Sequence, residues 1–293
     1  MSSRVALVTD STAEIPPDLA AEHGIHSVPT TVTVAGQSYR DGVDITAAQF
    51  YEKLRATESP ATTSQPSVGE FSETYERLLS DHDEILSLHI SADMSGTITS
   101  AQQAADLVAP DRITVVDSRL VSMALGLLVL AAGRFLEEGA TAAETRDRLV
   151  PVRDGLQVYF VVGTLEYLRR GGRIGRAGAL LGSMLQVKPV LTLSDGVVAP
   201  LERVRTAEKA LARVIDLAAR CGPHLCVAVG HADTDEQAGR IAGALRDRSE
   251  SLIVLPLGPS VGAHGGPGTV GLGCYPAELC PLGLGVLTAL DAR

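Results

Sequence analysis

The hydrophobic positions of this chain fall into short apolar runs that stop at small polar residues, alternating with stretches at helical spacing. Val5-Ala6-Leu7-Val8 is fully apolar and ends in Thr9-Asp10-Ser11-Thr12. It reads as a buried strand, with Ser11 or Thr12 capping a following helix that carries Pro16 and Pro17 in its early turns. His26–Val34, rich in Val and Thr, predicts a second strand, and Tyr39–Ile45 a loop or short hairpin arm. Thr46 caps a helix bearing Phe50, Tyr51 and Leu54. Ile85–Ile90 is a further strand, and Ala101, Ala104, Ala105 and Val108 place a helix after Gly96. Arg112–Asp117 is another strand. Arg119–Glu138 is a long helix, apolar on most faces and so expected to be covered on both sides. Ser67 with Glu70, and Thr141 with Glu144, have the spacing of capping boxes. Strand alternating with helix up to about Val152 predicts an α/β domain built on parallel strands.

The pattern changes after Asp154-Gly155. Leu156–Val162 reads as a strand and Thr164–Leu168 as a short helix that ends in Arg169-Arg170-Gly171-Gly172-Arg173-Ile174-Gly175. Val187–Leu193, the turn Ser194-Asp195-Gly196 and Val197–Arg203 predict a hairpin. Helices over Thr206–Arg220 and Thr234–Arg248 alternate with strands over Leu225–His231 and Leu252–Leu257. This half reads as α+β with partly antiparallel strands.

Composition narrows the function. The chain has 293 residues, 45% of them hydrophobic but only 3% aromatic, with no Trp, so its core must be aliphatic and it offers little for stacking bases. A net charge of −10 argues against a nucleic-acid partner, which needs clustered Lys and Arg. Cys221, Cys226, Cys274 and Cys280 form no C-x-x-C pair and no zinc spacing; they read as free thiols in a reducing compartment. The start of the chain lacks the apolar core and cleavage site of a signal peptide. The uncharged stretch between Arg119 and Arg134 is shorter than the ~20 residues of a spanning helix.

Several positions carry possible chemistry. Ser95 sits at or near the N-cap of the helix after Gly96, where free N–H groups and the helix dipole suit a small anion such as a carboxylate. The same position equally suits a plain serine cap. Asp10 lies where open α/β sheets bind ligands, or simply forms its turn. The hydroxyls of Thr62, Thr63 and Ser64 exceed what one cap requires, in a run that otherwise reads as a linker. The loop around Arg173 is either a solvated turn with glycine caps or an anion or partner site. In the glycine-rich tail, Gly266–Gly271 fits G-x-G-x-x-G, but no helix is expected after it. Gly258–Gly262 fits the G-x-S-x-G elbow, but more glycines follow where a helix should begin. Ser260 and His264 are left as a nucleophile–base candidate.

Taken together the segments resemble the DegV family of bacterial fatty-acid-binding proteins over almost the whole chain. The resemblance rests on Val8-Thr9-Asp10-Ser11, Asp41-Gly42-Val43-Asp44, Thr63-Ser64-Gln65-Pro66, Ser95-Gly96-Thr97, Gly171-Gly172-Arg173-Ile174, Lys188-Pro189-Val190-Leu191, and Ala263-His264 with Gly266-Pro267-Gly268. It implies an α/β protein of two domains. The N-terminal one, residues 1–153, is Rossmann-like with a parallel sheet and includes the Thr63 loop. The C-terminal one, residues 154–293, is α+β with a mixed sheet and includes the Arg173 loop and the glycine-rich tail. A tunnel between them would hold a long-chain fatty acid such as palmitate.

The same resemblance implies that the carboxylate meets Thr63, Ser95, the Gly96 N–H, His264 and Arg173. It also implies a separate ATP-dependent fatty acid kinase that makes the acyl phosphate for phospholipid synthesis, with Arg170 and Arg205 as candidates for docking it. On this reading the chain is cytoplasmic, not itself an enzyme, and needs no cofactor or metal. It departs from the family at Ala92-Asp93-Met94, which brings an extra carboxylate near the anion site. Two other readings stand beside it: a serine hydrolase using Ser260 and His264, and a sugar- or nucleotide-binding α/β protein.

Overall fold

The computed structural model describes residues 4–181 and 188–288. Val187, expected to open the hairpin, and residues 1–3, read above for a leader, lie outside them. β1 (Val5–Asp10) runs into a single 3-10 turn, then α1 (Pro17–Glu22) and β2 (Ile25–Val28). Asp10, rather than Ser11 or Thr12, caps that turn: its carboxylate accepts the Thr12 N–H at 3.1 Å.

The stretch expected as one strand over 26–34 is two. Pro29 has no N–H to give to a ladder. β2 ends before it, and β3 (Thr31–Val34) leaves the first sheet to pair antiparallel with β4 (Gln37–Arg40). After α2 (Ala47–Arg55), capped by Thr46 as expected, β5 (Thr62–Ser64) pairs with the other edge of β3. The hydroxyl run is thus a strand of a three-stranded sheet, not a linker.

α3 (Val68–Leu79) opens on the Ser67–Glu70 capping box. With β6 (Glu84–His89), α4 (Thr97–Val108) and β7 (Ile113–Asp117) it completes a parallel four-stranded sheet of order β2-β1-β6-β7. Side chains alternate across this sheet as strands require. Ala6, Val8 and Ile85 pack with α3 and α4, whereas Leu7, Leu86 and Leu88 face the opposite way. Next come α5 (Met123–Glu137) and α6 (Ala142–Gly155), the latter capped by the Thr141–Glu144 box.

The second half contributes β8 (Gln157–Val161), α7 (Glu166–Arg170), β9 (Lys188–Ser194), β10 (Val197–Val204), α8 (Ala207–Ala219), β11 (Leu225–His231) and α9 (Asp235–Leu245). β12 (Ser249–Pro256), α10 (Pro259–Gly265), β13 (Val270–Pro276) and β14 (Gly285–Thr288) follow. The seven strands form one mixed sheet, ordered β10-β9-β8-β13-β11-β12-β14, in which β12 runs parallel to β11 and β14 and the other pairings are antiparallel. The β9–β10 hairpin turns at Asp195-Gly196, with φ of 53° and 77°, the positive pair that a two-residue type I′ turn requires. Val227 and Val229 face α8 and α9, while Cys226 and Ala228 face the parallel sheet's side of the molecule. Among the described residues no helix is long and apolar enough to cross a membrane, and the four cysteines are free.

Three elements of the tail were not expected: β13, β14 and helix α10. Glycine is a poor helix former, yet α10 forms because Pro259 at its first turn presets the backbone and tertiary packing overrides propensity. At Gly262 a methyl group would stand 3.1 Å from the Phe50 ring and closer still to the Tyr51 hydroxyl, so glycine is what lets α10 dock on α2.

Helix α5 lies between the two large sheets and buries 12 of its 15 residues. Its apolar side chains share one core with Leu7 and Leu88 of the parallel sheet and with Ala228, Ile253 and Tyr275 of the mixed one. Close approach is permitted by missing methyl groups. A Cβ on Gly273 of β13 would come within 3.1 Å of the Ala124 backbone, and one on Gly126 would press on the Ala13 carbonyl. Gly126→Ala should therefore destabilise the fold by ~1–3 kcal/mol through overpacking. Gly243→Ala, in exposed α9 with nothing within 4 Å of the new methyl, should stabilise it by ~0.5–1 kcal/mol through helix propensity. Denaturant titration of both variants checks the pair; equal effects would mean that α5 is not tightly held.

Candidate functional site

Where α5 begins, the two sheets enclose a cavity of about 460 Å³, within the ~300–1,000 Å³ range of small-molecule sites. Most of its wall is apolar, from Ile90, Met123, Phe160, Leu193, Leu257 and Leu272. Polar lining side chains include Thr63, Ser64, Gln65, Ser95, Arg173 and His264, of which Ser64 and Gln65 are exposed, so that end opens to solvent.

Each of these residues is placed by a local device. Thr63 pairs with Val32 in the β3–β5 ladder, which turns its side chain inward with Val32 while Thr62 stays exposed. His264 closes the last turn of α10, and its Nε2 lies 2.8 Å from the Thr63 hydroxyl. Arg173 follows the end of α7. Gly172, at φ 72°, occupies the left-handed position of a Schellman cap, in which the Arg173 N–H donates to the Leu168 carbonyl and the Gly172 N–H to that of Arg169. The Arg173 side chain then donates through Nε to the Met94 carbonyl at 3.0 Å and through Nη1 to that of Gly171 at 2.6 Å. Gly171 has its own reason: a methyl there would collide with His264 Nδ1.

Ser95 lies one residue before the N-cap of α4, a position held by Gly96. Its hydroxyl lies 2.8 Å from that of Thr97 and accepts the Thr97 N–H at 3.3 Å. Gly96 itself does not line the cavity. The Gln65 side chain lies against it, where a methyl would collide, and Gln65 donates to the Ser100 hydroxyl at 3.0 Å.

Burial, with the nearby Arg173 charge, pushes the His264 imidazole down to about 4, so at neutral pH it is uncharged. Its Nδ1 is buried and has no hydrogen-bond partner in the protein. That nitrogen is packed against Gly171, and Nε2 is the ring atom bonded to the cavity-lining Thr63. An anion placed between Thr63, His264 and Arg173 would raise the imidazole again.

Arg170 is exposed and pairs with Glu166 at 2.6 Å; Arg205 is exposed just before α8. Neither lines the cavity. Asp93 is also exposed, beside the β9–β10 turn rather than in the cavity. A helix does follow Gly258, so the strand–turn–helix setting denied above to the G-x-S-x-G match is present. Ser260 is not paired with His264, however. Its hydroxyl lies 2.6 Å from that of Thr30 and its N–H donates to Asp41 at 3.1 Å, while His264 bonds Thr63. No helix follows Gly266–Gly271, which leads into β13.

Asp10 takes its turn-forming role and more. Its Oδ2 lies 3.0 Å from His89 Nδ1, and His89 Nε2 lies 2.7 Å from the Ser87 hydroxyl. The order is that of a serine-protease triad, yet the chain is structural. Ser87 is also bonded to Tyr75 at 2.8 Å, and Asp10, Ser87, His89 and Tyr75 are all fully buried and none of them lines the cavity. Burial favours the protonated acid, but the His89 hydrogen bond and charge, with bonds from Thr12 and the Ile90 N–H, hold Asp10 below the usual carboxylate range.

Sequence reasoning missed a second polar group behind the cavity wall. Glu14 accepts from Ser122 at 2.5 Å and from the Gly258 N–H at 2.7 Å. Asp41 accepts from Ser260, Ser11 and Thr30. Burial raises both carboxyls, Glu14 to about 8. Asp41 lay within one of the matched motifs, but nothing in the spacing of Glu14 marked it. Among the described residues no His, Cys, Asp and Glu group is arranged to hold a metal ion.

Comparison with known proteins gives a consistent result. Residues 4–277 match the model of the DegV family, described as an uncharacterised protein family. A DegV domain-containing protein of Streptomyces coelicolor is 44% identical over 278 residues, which cover 93% of this chain and 98% of the relative. Protein DegV of Bacillus subtilis is 34% identical over 274 residues, 92% of this chain and 98% of that one. Among solved structures, a fatty-acid-binding DegV family protein of Thermus thermophilus superposes with a TM-score of 0.87 at 38% identity, covering 93% of this chain and 99% of its own. The Bacillus subtilis DegV crystal structure, described as a fatty acid binding protein, gives 0.85 at 33% identity, covering 94% and 99%. A stearic-acid-binding protein of Eubacterium ventriosum gives 0.84 at 27%, covering 93% and 98%.

The buried Glu14 sets a pH dependence. In the folded chain it holds its proton up to about 8, whereas unfolded it ionises near 4.5. The resulting stabilisation is complete below about 4.5 and is lost as the pH climbs to about 8. Glu14→Gln mimics the protonated acid. Its melting temperature should therefore fall less across that window than the unaltered chain's; an equally steep fall would assign the pH dependence to another group.

Proposed function

This chain belongs to the DegV family, and we propose from that premise that it carries a long-chain fatty acid such as palmitate. The carboxylate would be held at Thr63, Ser95 and His264 beside Arg173, with the Gly96 N–H nearby. The observation that carries the reading is the Thr63–His264 pair, 2.8 Å apart, at the open end of a largely apolar cavity. Fatty acid binding by the Thermus thermophilus and Bacillus subtilis relatives supports it.

The energetics agree. Burying about a dozen methylenes at ~0.8 kcal/mol each is worth on the order of 10 kcal/mol gross, and association and chain ordering reduce that. Affinity then comes from the apolar wall, and the headgroup decides orientation. A carboxylate left unpaired there would lose several hydrogen bonds with water. The Thr63 and Ser95 hydroxyls, a protonated His264 and the Arg173 guanidinium offset that loss.

In the fuller reading a separate ATP-dependent fatty acid kinase phosphorylates the presented carboxylate, supporting phospholipid synthesis. Arg173 would meet the charge that develops on the phosphoryl group, and Arg170 and Arg205 would dock the partner. The chain then needs no catalytic group or cofactor of its own. Its four free thiols suit the cytoplasm. We take residues 1–153 and 154–293 as the two lobes that hold the ligand between them.

Purified protein, denatured and analysed by mass spectrometry, should release a long-chain fatty acid. Thr63→Ala and Ser95→Ala should each weaken fatty acid affinity about tenfold, as expected for losing one hydrogen bond to a charged group. Affinity unchanged in both variants would remove the headgroup assignment. A chain that releases no lipid and binds none on titration would remove the carrier reading itself.

A further inference from the structure

The cavity is not uniformly greasy beyond its headgroup end. Thr12, Thr30, Ser122 and Ser260 all line it, and each is held by hydrogen bonds to polar groups behind the wall. Thr12 donates to Asp10 at 2.5 Å and Ser122 to Glu14 at 2.5 Å. Thr30 and Ser260 share a 2.6 Å bond, and Asp41 lies behind them, 3.4 Å from the Thr30 hydroxyl and accepting the Ser260 N–H. Gly258 joins the two halves of the group, because its N–H binds Glu14 and its Cα faces both carboxyls.

From this patch we infer that the cavity has a second polar station, suited to a hydroxyl carried on the acyl chain of the ligand. The reasoning rests on the carrier reading and is one of hydrogen-bond supply. A hydroxyl has one donor and two acceptor lone pairs. The Thr12 hydrogen is committed to the Asp10 carboxylate and that of Ser122 is directed at the Glu14 carboxyl, so their remaining lone pairs call for a donor. A ligand hydroxyl provides one, and it also accepts should Glu14, protonated at neutral pH, turn its own proton to Ser122. A second carboxylate is unsuited to the station, because the groups behind it are carboxyls and the lining guanidinium, Arg173, belongs to the other end. The fatty acid headgroup is thereby kept at the Arg173 end. A methylene set against these oxygens, as in a plain saturated chain, leaves only the bonds they make within the protein and gives their remaining lone pairs nothing.

The station also has a place along the chain. Ser260 and His264 are four residues apart on α10, ~6 Å along the helix axis. The hydroxyl it serves is therefore several carbons from the carboxyl group, not at the far end of the tail.

Titration of the delipidated chain with stearate and with positional isomers of hydroxystearate tests this. At least one isomer should bind about tenfold tighter than stearate, the worth of a buried polar group that gains its partner. In Ser122→Ala and in Thr30→Val, measured separately so that poor folding of one does not decide the matter, that ratio should fall towards unity. No isomer surpassing stearate, or a ratio unaltered in both variants, overturns the second station while leaving the carrier reading intact. Failure to bind either acid overturns the carrier reading, and this inference with it.

Discussion

One helix burdens and organises this structure: α5 is apolar on nearly every side, so it must be covered on nearly every side. Two sheets do this, one parallel and one mixed, and their inner faces share a single core through it. The contact is close because small residues line it, with Gly126 against the Ala13 carbonyl and Gly273 against the Ala124 backbone. Interiors packed at crystal-like density leave few voids. Here the void lies at the first turn of α5, where Val121, Ser122, Met123 and Ala124 form part of the wall. The cavity is thus the space at the end of the helix that joins the two sheets.

The polar groups around that space follow one rule: a buried donor or acceptor needs a partner. At the open end the partners span elements far apart in sequence, Thr63 on β5 meeting His264 on α10. The neutral imidazole meets Thr63 through Nε2, while Nδ1 is packed against Gly171. Deeper in, hydroxyls on the wall are tied to Glu14 and Asp41, and behind Thr12 the buried Asp10, His89, Ser87 and Tyr75 satisfy one another without lining the cavity. Three polar groups of similar composition therefore differ in role because of where the void lies. The triad-like order of the last one carries no chemistry, since nothing reaches it.

Glycine has a different task in each part of the site. Gly172 supplies the positive φ that turns the chain so that Arg173 faces the Met94 carbonyl. Gly171 and Gly96 supply absence of volume, one beside His264 and one beneath Gln65. The basic loop therefore exists less to gather positive charge than to place a single guanidinium, while Arg170 is engaged by Glu166 at the surface.

Much of the fold was legible in the chain alone. Local signals with short physical range were reliable: the capping boxes at Ser67 and Thr141 and the cap at Thr46, the apolar run of Leu225–His231 and the Asp-Gly turn of the hairpin. The all-round hydrophobicity of α5 announced burial on both sides before either sheet was known. What the chain could not reveal depended on distant partners. Pro29 divides one Val- and Thr-rich run between two sheets because of where each half finds an edge. Thr62–Ser64 becomes a strand only because β3 offers one, and the glycine-rich α10 becomes a helix only because α2 receives it. Motif order pointed to Thr63, Ser95, Arg173 and His264, but Glu14 and the hydroxyls at Thr30 and Ser122 had no sequence signature. Hydrogen bonding and burial between residues more than a hundred positions apart are properties of the packed molecule, and they alone decided which polar side chains face the void.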